Sequence, residues 1–246
     1  MTEIASHRGG AALWPENSET AFRETAKLPV EQIEFDVQLT AEDVPVIFHD
    51  ATLDRVTDGA GPVGEHTLSE LKALEIFNGG GKIMTLEEGL DILAPSHLTL
   101  RCEIKPGLDM VPYPGIVEKT LAALSDAGLS ERTVVTSFHL PTLTEVRLKE
   151  QALKGLIWLV ADPILRLTSP QHVADLAKGA DVFNVSVRHV LLRGEALPRL
   201  RASGLAVGAF AVLDDEAIEW AFGAGVDVFT TDRPDAAVRI REKITG

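Results

Sequence analysis

Short apolar segments alternating with amphipathic stretches, eight of them once a hairpin partner is set aside, in a chain of 246 residues, predict an α/β fold: a (β/α)8 TIM barrel with a small insertion after the second strand. Strand candidates, short and rich in β-branched residues, fall at residues 4–6, 32–37, 44–48, 98–104, 133–137, 155–160, 182–185, 206–212 and 226–230. Helical periodicity marks residues 18–27, 86–93, 115–127, 142–151, 171–177, 215–222 and 235–243. One link breaks the alternation. Residues 38–43 are too few for the crossover of about a dozen residues that parallel strands need, so 44–48 is expected to fold back antiparallel on 32–37. That return carries His49 to the level of Glu34 and leaves eight strands for the barrel.

Residues 51–84 interrupt the rhythm, with glycines at 59, 61 and 79–81 and a short helix expected over 69–74. They follow the C-terminal end of a strand, so they are expected to lie over the barrel mouth, with Leu68, Leu71 and Leu74 packed against the barrel. The triple glycine lacks the spacing of a phosphate loop and reads as a hinge. With no linker or repeat elsewhere, residues 1–246 read as one catalytic domain.

The composition narrows the partners. Hydrophobic residues make up 45%, enough for a full core, and 23 basic against 37 acidic residues give a net charge of −14. Such a surface repels nucleic acid and anionic membrane, so an anionic ligand must be drawn in by a local positive site. The single cysteine, Cys102, excludes an intrachain disulfide and sits mid-strand, where a packed thiol is expected. No basic and apolar leader precedes His7, and no run approaches the roughly 18 apolar residues of a membrane span; a cytoplasmic protein is expected. Self-association into a homo-oligomer is compatible with all of this.

The chemistry is concentrated near the N-terminus. In the strand around Ile33, Phe35 and Val37, alternation sends Glu34 and Asp36 to the opposite face. The same pattern in 100–105 puts Arg101, Glu103 and Lys105 on one side and Leu100, Cys102 and Ile104 on the other. Three buried carboxylates need a compensating cation, and oxygen-only ligands suit magnesium, calcium or manganese over zinc; an edge strand with ordinary salt bridges is the alternative. His7 and His49 titrate near neutral pH and suit a general acid and base, or else metal ligation. Arg8 suits a bidentate grip on phosphate, Lys105 adds a point charge, and Gly9-Gly10 suggests a close backbone approach. Trp14 lines the entrance or packs the first loop, and Asn184 and Ser186 read as structural polar contacts. Of the other histidines, His139, just after Ser137-Phe138, is the one to follow.

His7-Arg8-Gly9, Pro15-Glu16-Asn17-Ser18 with Ala21-Phe22, Glu34-x-Asp36-Val37, Pro45-Val46-x-x-His49-Asp50 and Glu103-x-Lys105 together resemble the successive motifs of the glycerophosphodiester phosphodiesterase family, whose barrel is similar to that of the phosphoinositide phospholipases C. The match continues through Leu53, Arg55, Thr57, Gly59, Gly61, Val63, Thr67 and Glu70-Leu71, and sparsely through Ser137-Phe138 and Thr231-Asp232-x-Pro234. The resemblance implies metal-dependent hydrolysis of a small-molecule glycerophosphodiester to glycerol 3-phosphate and an alcohol. It implies His7 and His49 as the catalytic pair, Glu34, Asp36 and Glu103 as ligands of one divalent cation, and Arg8, Lys105 and Phe210 at the substrate. Phe210-Ala211 stands where the family usually has Trp-Thr, which bears on substrate fit. A lysophospholipase D and an inactive phosphodiester-binding barrel are the rival readings; the second would have lost a histidine or an acid, and none is missing.

Overall fold

The computed structural model describes residues 1–246 and joins nine strands in one sheet. They are β1 (Glu3–Ser6), β2 (Gln32–Leu39), β3 (Pro45–Ile47), β4 (Thr99–Ile104), β5 (Thr133–Ser137), β6 (Gly155–Val160), β7 (Asn184–Arg188), β8 (Ala206–Phe210) and β9 (Val228–Thr231). β1 pairs in parallel with both β2 and β9, which closes eight strands into a barrel. The exception is β3. It runs antiparallel along β2, with Val37 opposite Ile47 and Gln38 opposite Val46, and stays outside the ring as the short link required.

Alternation along β2 divides the interior from the outer core. Ile33, Phe35 and Val37 join a cluster of 50 buried residues that also holds Phe22, Leu90, Leu93 and Ile240 from the surrounding helices. Cys102 belongs to the same cluster, and burial pushes its thiol well above the ordinary range, so it is a packing group. The helices start where side chains meet their first free amides: Ser18 accepts from the Ala21 N–H, and Thr85 and Glu88 form a reciprocal cap. Asn184 donates to the Leu156 carbonyl and His139 shares a hydrogen bond with Thr142 at a helix start; both contacts are structural.

Several boundaries differ from expectation for local reasons. β8 ends at Phe210 because Ala211 turns into the left-handed region at φ 56°. β7 begins at Asn184, after Asp181 takes φ 55°, two residues later than the apolar run suggests. Helices Asp162–Leu167, His189–Leu192 and Ala196–Ala202 were not anticipated; in the last, Pro198 falls in the first turn, where its missing N–H costs nothing. Within residues 51–84, the helix Leu68–Ala73 forms, but Leu68, Leu71 and Leu74 do not pack on the main core. They join Val46, Phe48, Leu53, Val63, Ile76 and Ile83 in a separate cluster, so the insertion has a small core of its own built on β3.

Candidate active site

The chain turns sharply at the end of β1 to present His7. Arg8, Gly9 and Gly10 follow it at φ 49°, 77° and 91°, three left-handed residues in succession. A Cβ on Gly9 would stand 2.7 Å from that of Ala21, so the loop lies tight against the first helix. Arg8 has no such freedom and holds a strained backbone, with its N–H donating to Glu34 Oε2 at 3.0 Å. Trp14 packs over the same turn, its ring 3.0 Å from where a Cβ of Gly10 would be. It serves the loop.

His7, Arg8, Glu34, His49, Glu103, Lys105 and Phe210 line one cavity of about 330 Å³ at the C-terminal ends of the strands, joined there by Arg101, Thr136, Thr230 and Asp232. Asp36 stands behind the lining, fully buried. All eight residues singled out from the sequence therefore converge. A larger hollow of about 730 Å³ opens at the other end of the barrel, beside Glu3, Gln32, Lys154 and Asp227, and contains no histidine.

Each histidine is clamped by a carboxylate. His7 Nδ1 lies 2.5 Å from Asp232 Oδ1, and His49 Nδ1 lies 2.5 Å from Asp50 Oδ1. With Nδ1 engaged, Nε2 is the nitrogen left for a substrate, and that of His7 is 3.9 Å from Glu34. Burial pulls the His7 pKa down, but Glu34 and Asp232 more than offset it, leaving the ring easier to protonate than usual. For His49, burial prevails with help from Lys105 and Arg8, and its pKa falls despite Asp36.

Glu34, Asp36 and Glu103 bring one oxygen each within 4.8 Å of one another. β2 and β4 place them there, since Asp36 and Glu103 are register partners and Glu34 is two residues back on the same face. Burial and the charge of Asp36 push the Glu34 carboxyl up to about 7. Burial opposes ionisation of Asp36 too, but Lys105, His49 and Arg8 hold its carboxyl well below the ordinary range. Lys105 Nζ lies 2.6 Å from Glu103 and 3.1 Å from Asp36, and Asn17 donates to the other Asp36 oxygen at 2.8 Å. Three crowded carboxylates with Asp36 Oδ1 short of a hydrogen bond form a set that a hard divalent cation would fit.

A second layer surrounds the cavity. Arg8 Nη1 donates to Glu16 at 3.0 Å, while Arg55 from the insertion reaches Glu16 at 2.7 and 2.8 Å and Asp50 at 2.5 Å. On the far wall the Phe210 ring meets Phe138 edge-on at 5.8 Å and lies 5.4 Å beneath the Arg188 guanidinium. Thr136 has no signal in the sequence; Arg101 is placed by alternation on the face of Glu103 and Asp232 by the Thr231-Asp232-x-Pro234 match, but neither receives a role there.

Residues 7–236 match the model of the glycerophosphoryl diester phosphodiesterase family. The chain belongs to that family. A glycerophosphodiester phosphodiesterase of Caldanaerobacter subterraneus subsp. tengcongensis is 31% identical over 98% of both chains, and one of Bacillus altitudinis is 30% identical over 99% of this chain and all of that one. The fold superposes on a crystal structure of a protein from Agrobacterium tumefaciens with a TM-score of 0.95, 36% identity and coverage of 99% and 98% of the two chains. This member of the family is accordingly a phosphoric diester hydrolase on an eight-stranded barrel, and no helix in it is long and apolar enough to cross a membrane.

Proposed function

We propose that this enzyme hydrolyses glycerophosphodiesters to glycerol 3-phosphate and an alcohol, with His7 and His49 as the acid–base pair and one divalent cation, Mg²⁺, Ca²⁺ or Mn²⁺, held by Glu34, Asp36 and Glu103. The observation that carries the reading is the convergence, in one cavity, of two aspartate-clamped histidines and three carboxylates within 4.8 Å. A phosphodiesterase from Oleispira antarctica with the same fold, 23% identical at a TM-score of 0.83, was crystallised with its product sn-glycerol-3-phosphate, which supports a ligand of that class.

Expelling an alkoxide from a phosphodiester demands a proton for the leaving oxygen, a base for the attacking one and positive charge at the phosphoryl group. When bound, the cation supplies Lewis-acid charge on the phosphoryl oxygens. The two histidines, which line the same cavity, move the protons through Nε2. Asp232 and Asp50 fix the tautomers and steady the imidazolium as it forms. Arg8 spends one Nη1 hydrogen on Glu16 and keeps its remaining terminal N–H groups for a grip on the phosphate. Lys105 keeps Asp36 ionised and pairs with Glu103 from the side. Phe138, Leu159, Phe210 and Leu213 give the cavity an apolar wall for substrate carbon atoms.

The test is product analysis with glycerophosphocholine and magnesium. Release of glycerol 3-phosphate and choline is expected; release of glycerol and phosphocholine, or no release, would contradict the proposal.

A further inference from the structure

Level with Glu34, and below Asp36 and Glu103 in the barrel, stands a cation that the reaction above does not use. Arg101 precedes Glu103 by two residues on β4, so both side chains share the inward face. In register it sits between Glu34 on β2 and Val134 on β5. It is 1% exposed and lines the same cavity as both histidines. Its two terminal nitrogens are closed off from solvent and meet no hydrogen-bond partner. Beside it Thr136, the register partner of Glu103, brings a second buried and unpartnered group, its hydroxyl, to the same cavity. Val134, Ile157 and Leu159 around them form an apolar cluster and supply no acceptor. A buried guanidinium with unmet donors is unfavourable unless acceptors are brought to it.

We propose that Arg101 and Thr136 form an oxygen-binding floor for the alcohol moiety that enters the cavity first, which makes Arg101 a specificity-determining residue. This rests on the proposed function. A planar guanidinium offers two fixed N–H donors that match a pair of neighbouring oxygens, as in a vicinal diol. With the phosphoryl group held between the histidines and the triad, Arg101 lies two residues down β4 from Glu103, about 7 Å at the usual rise of a strand, and Thr136 stands on the neighbouring strand level with Glu103. A three-carbon diol and an arginine side chain together span that depth. An alcohol moiety with no hydroxyl beyond the esterified one leaves the donors unmet and is selected against.

The experiment is titration calorimetry of the magnesium-loaded enzyme with sn-glycerol 3-phosphate and with methyl phosphate, which lacks the diol. The unaltered enzyme binds the glycerol ester more tightly, and Arg101→Met cuts the ratio of the two dissociation constants by about ten- to hundredfold, the effect of losing hydrogen bonds from a charged donor. Should Arg101→Met not fold, Thr136→Val lowers the same ratio, by a smaller factor. Failure of the unaltered enzyme to discriminate, or an unchanged ratio in the variants, overturns the proposal and leaves the floor to water. Glycerophosphocholine turnover measured alongside keeps the two readings apart. Turnover with an unchanged ratio removes the floor alone, whereas no turnover removes the proposed function.

Discussion

His7 and Asp232 are 225 positions apart in the chain and 2.5 Å apart in the fold. Only closure of β1 against β9 brings them together, which is why the histidine was legible in the sequence and its clamp was not. Glu34, Asp36 and Glu103 were legible because strand alternation is local, needing no knowledge of closure. Arg101 obeyed the same alternation, yet nothing local shows that its guanidinium ends without a partner. Replacing either His7 or His49 by Ala should lower turnover of glycerophosphocholine by about two to four orders of magnitude. The variant lacking the general acid should recover on a nitrophenyl diester, whose leaving group needs no proton. Near-normal rates for either variant on the unactivated substrate would remove that histidine from the reaction. Asp232→Asn should lower kcat by up to about four orders of magnitude with little change in KM, as loss of a tautomer clamp does; a change confined to KM would make Asp232 a substrate contact instead.

The β2–β3 hairpin follows from a count of residues, and the link that is too short for a crossover is the reason His49 and Asp50 reach the mouth at all. The insertion that follows was legible as an interruption, but its separate core was not, since helical spacing in 68–74 does not say which surface will be covered. We propose that residues 51–84 cover the mouth of a single catalytic domain, a reading supported by Arg55, which ties them to Glu16 on the first loop and to Asp50. For Glu16 and Asp50 burial is outweighed by their arginine and histidine partners, and both carboxyls fall below their ordinary values of 4.5 and 3.8. Their stabilisation is therefore complete above those values and lost as pH falls through the lower folded ones. Arg55→Gln should speed amide exchange across 51–84 at neutral pH while the barrel strands stay protected. Acidification below about pH 4 should do the same to the unaltered protein. Unchanged exchange in the variant would mean that the small apolar core alone holds the insertion.

At the scale of the molecule, a net charge of −14 surrounds a cavity lined by three cations, Arg8, Arg101 and Lys105, and three carboxylates, Glu34, Glu103 and Asp232. The cavity measures about 330 Å³ and its apolar wall ends at Phe210, where an indole would add a donor and bulk. Such a space suits a short polar diester and leaves little room for an acyl chain. Glycerophosphocholine or glycerophosphoethanolamine should accordingly be turned over with higher kcat/KM than lysophosphatidylcholine, and the reverse order would favour a lysophospholipase D. The charge of three carboxylates in the barrel ties this account to a metal. Glu34→Ala, Asp36→Ala and Glu103→Ala should each weaken magnesium binding; loss of Glu34 relieves crowded like charge and should leave the apo barrel folded, whereas loss of Asp36 strips Lys105 and Arg8 of a partner and should lower its stability. The most direct measurement is glycerol 3-phosphate release from glycerophosphocholine by metal-stripped enzyme, before and after magnesium, manganese or calcium is restored. No release is expected without the ion and recovery with it; full turnover by the stripped enzyme would contradict metal dependence.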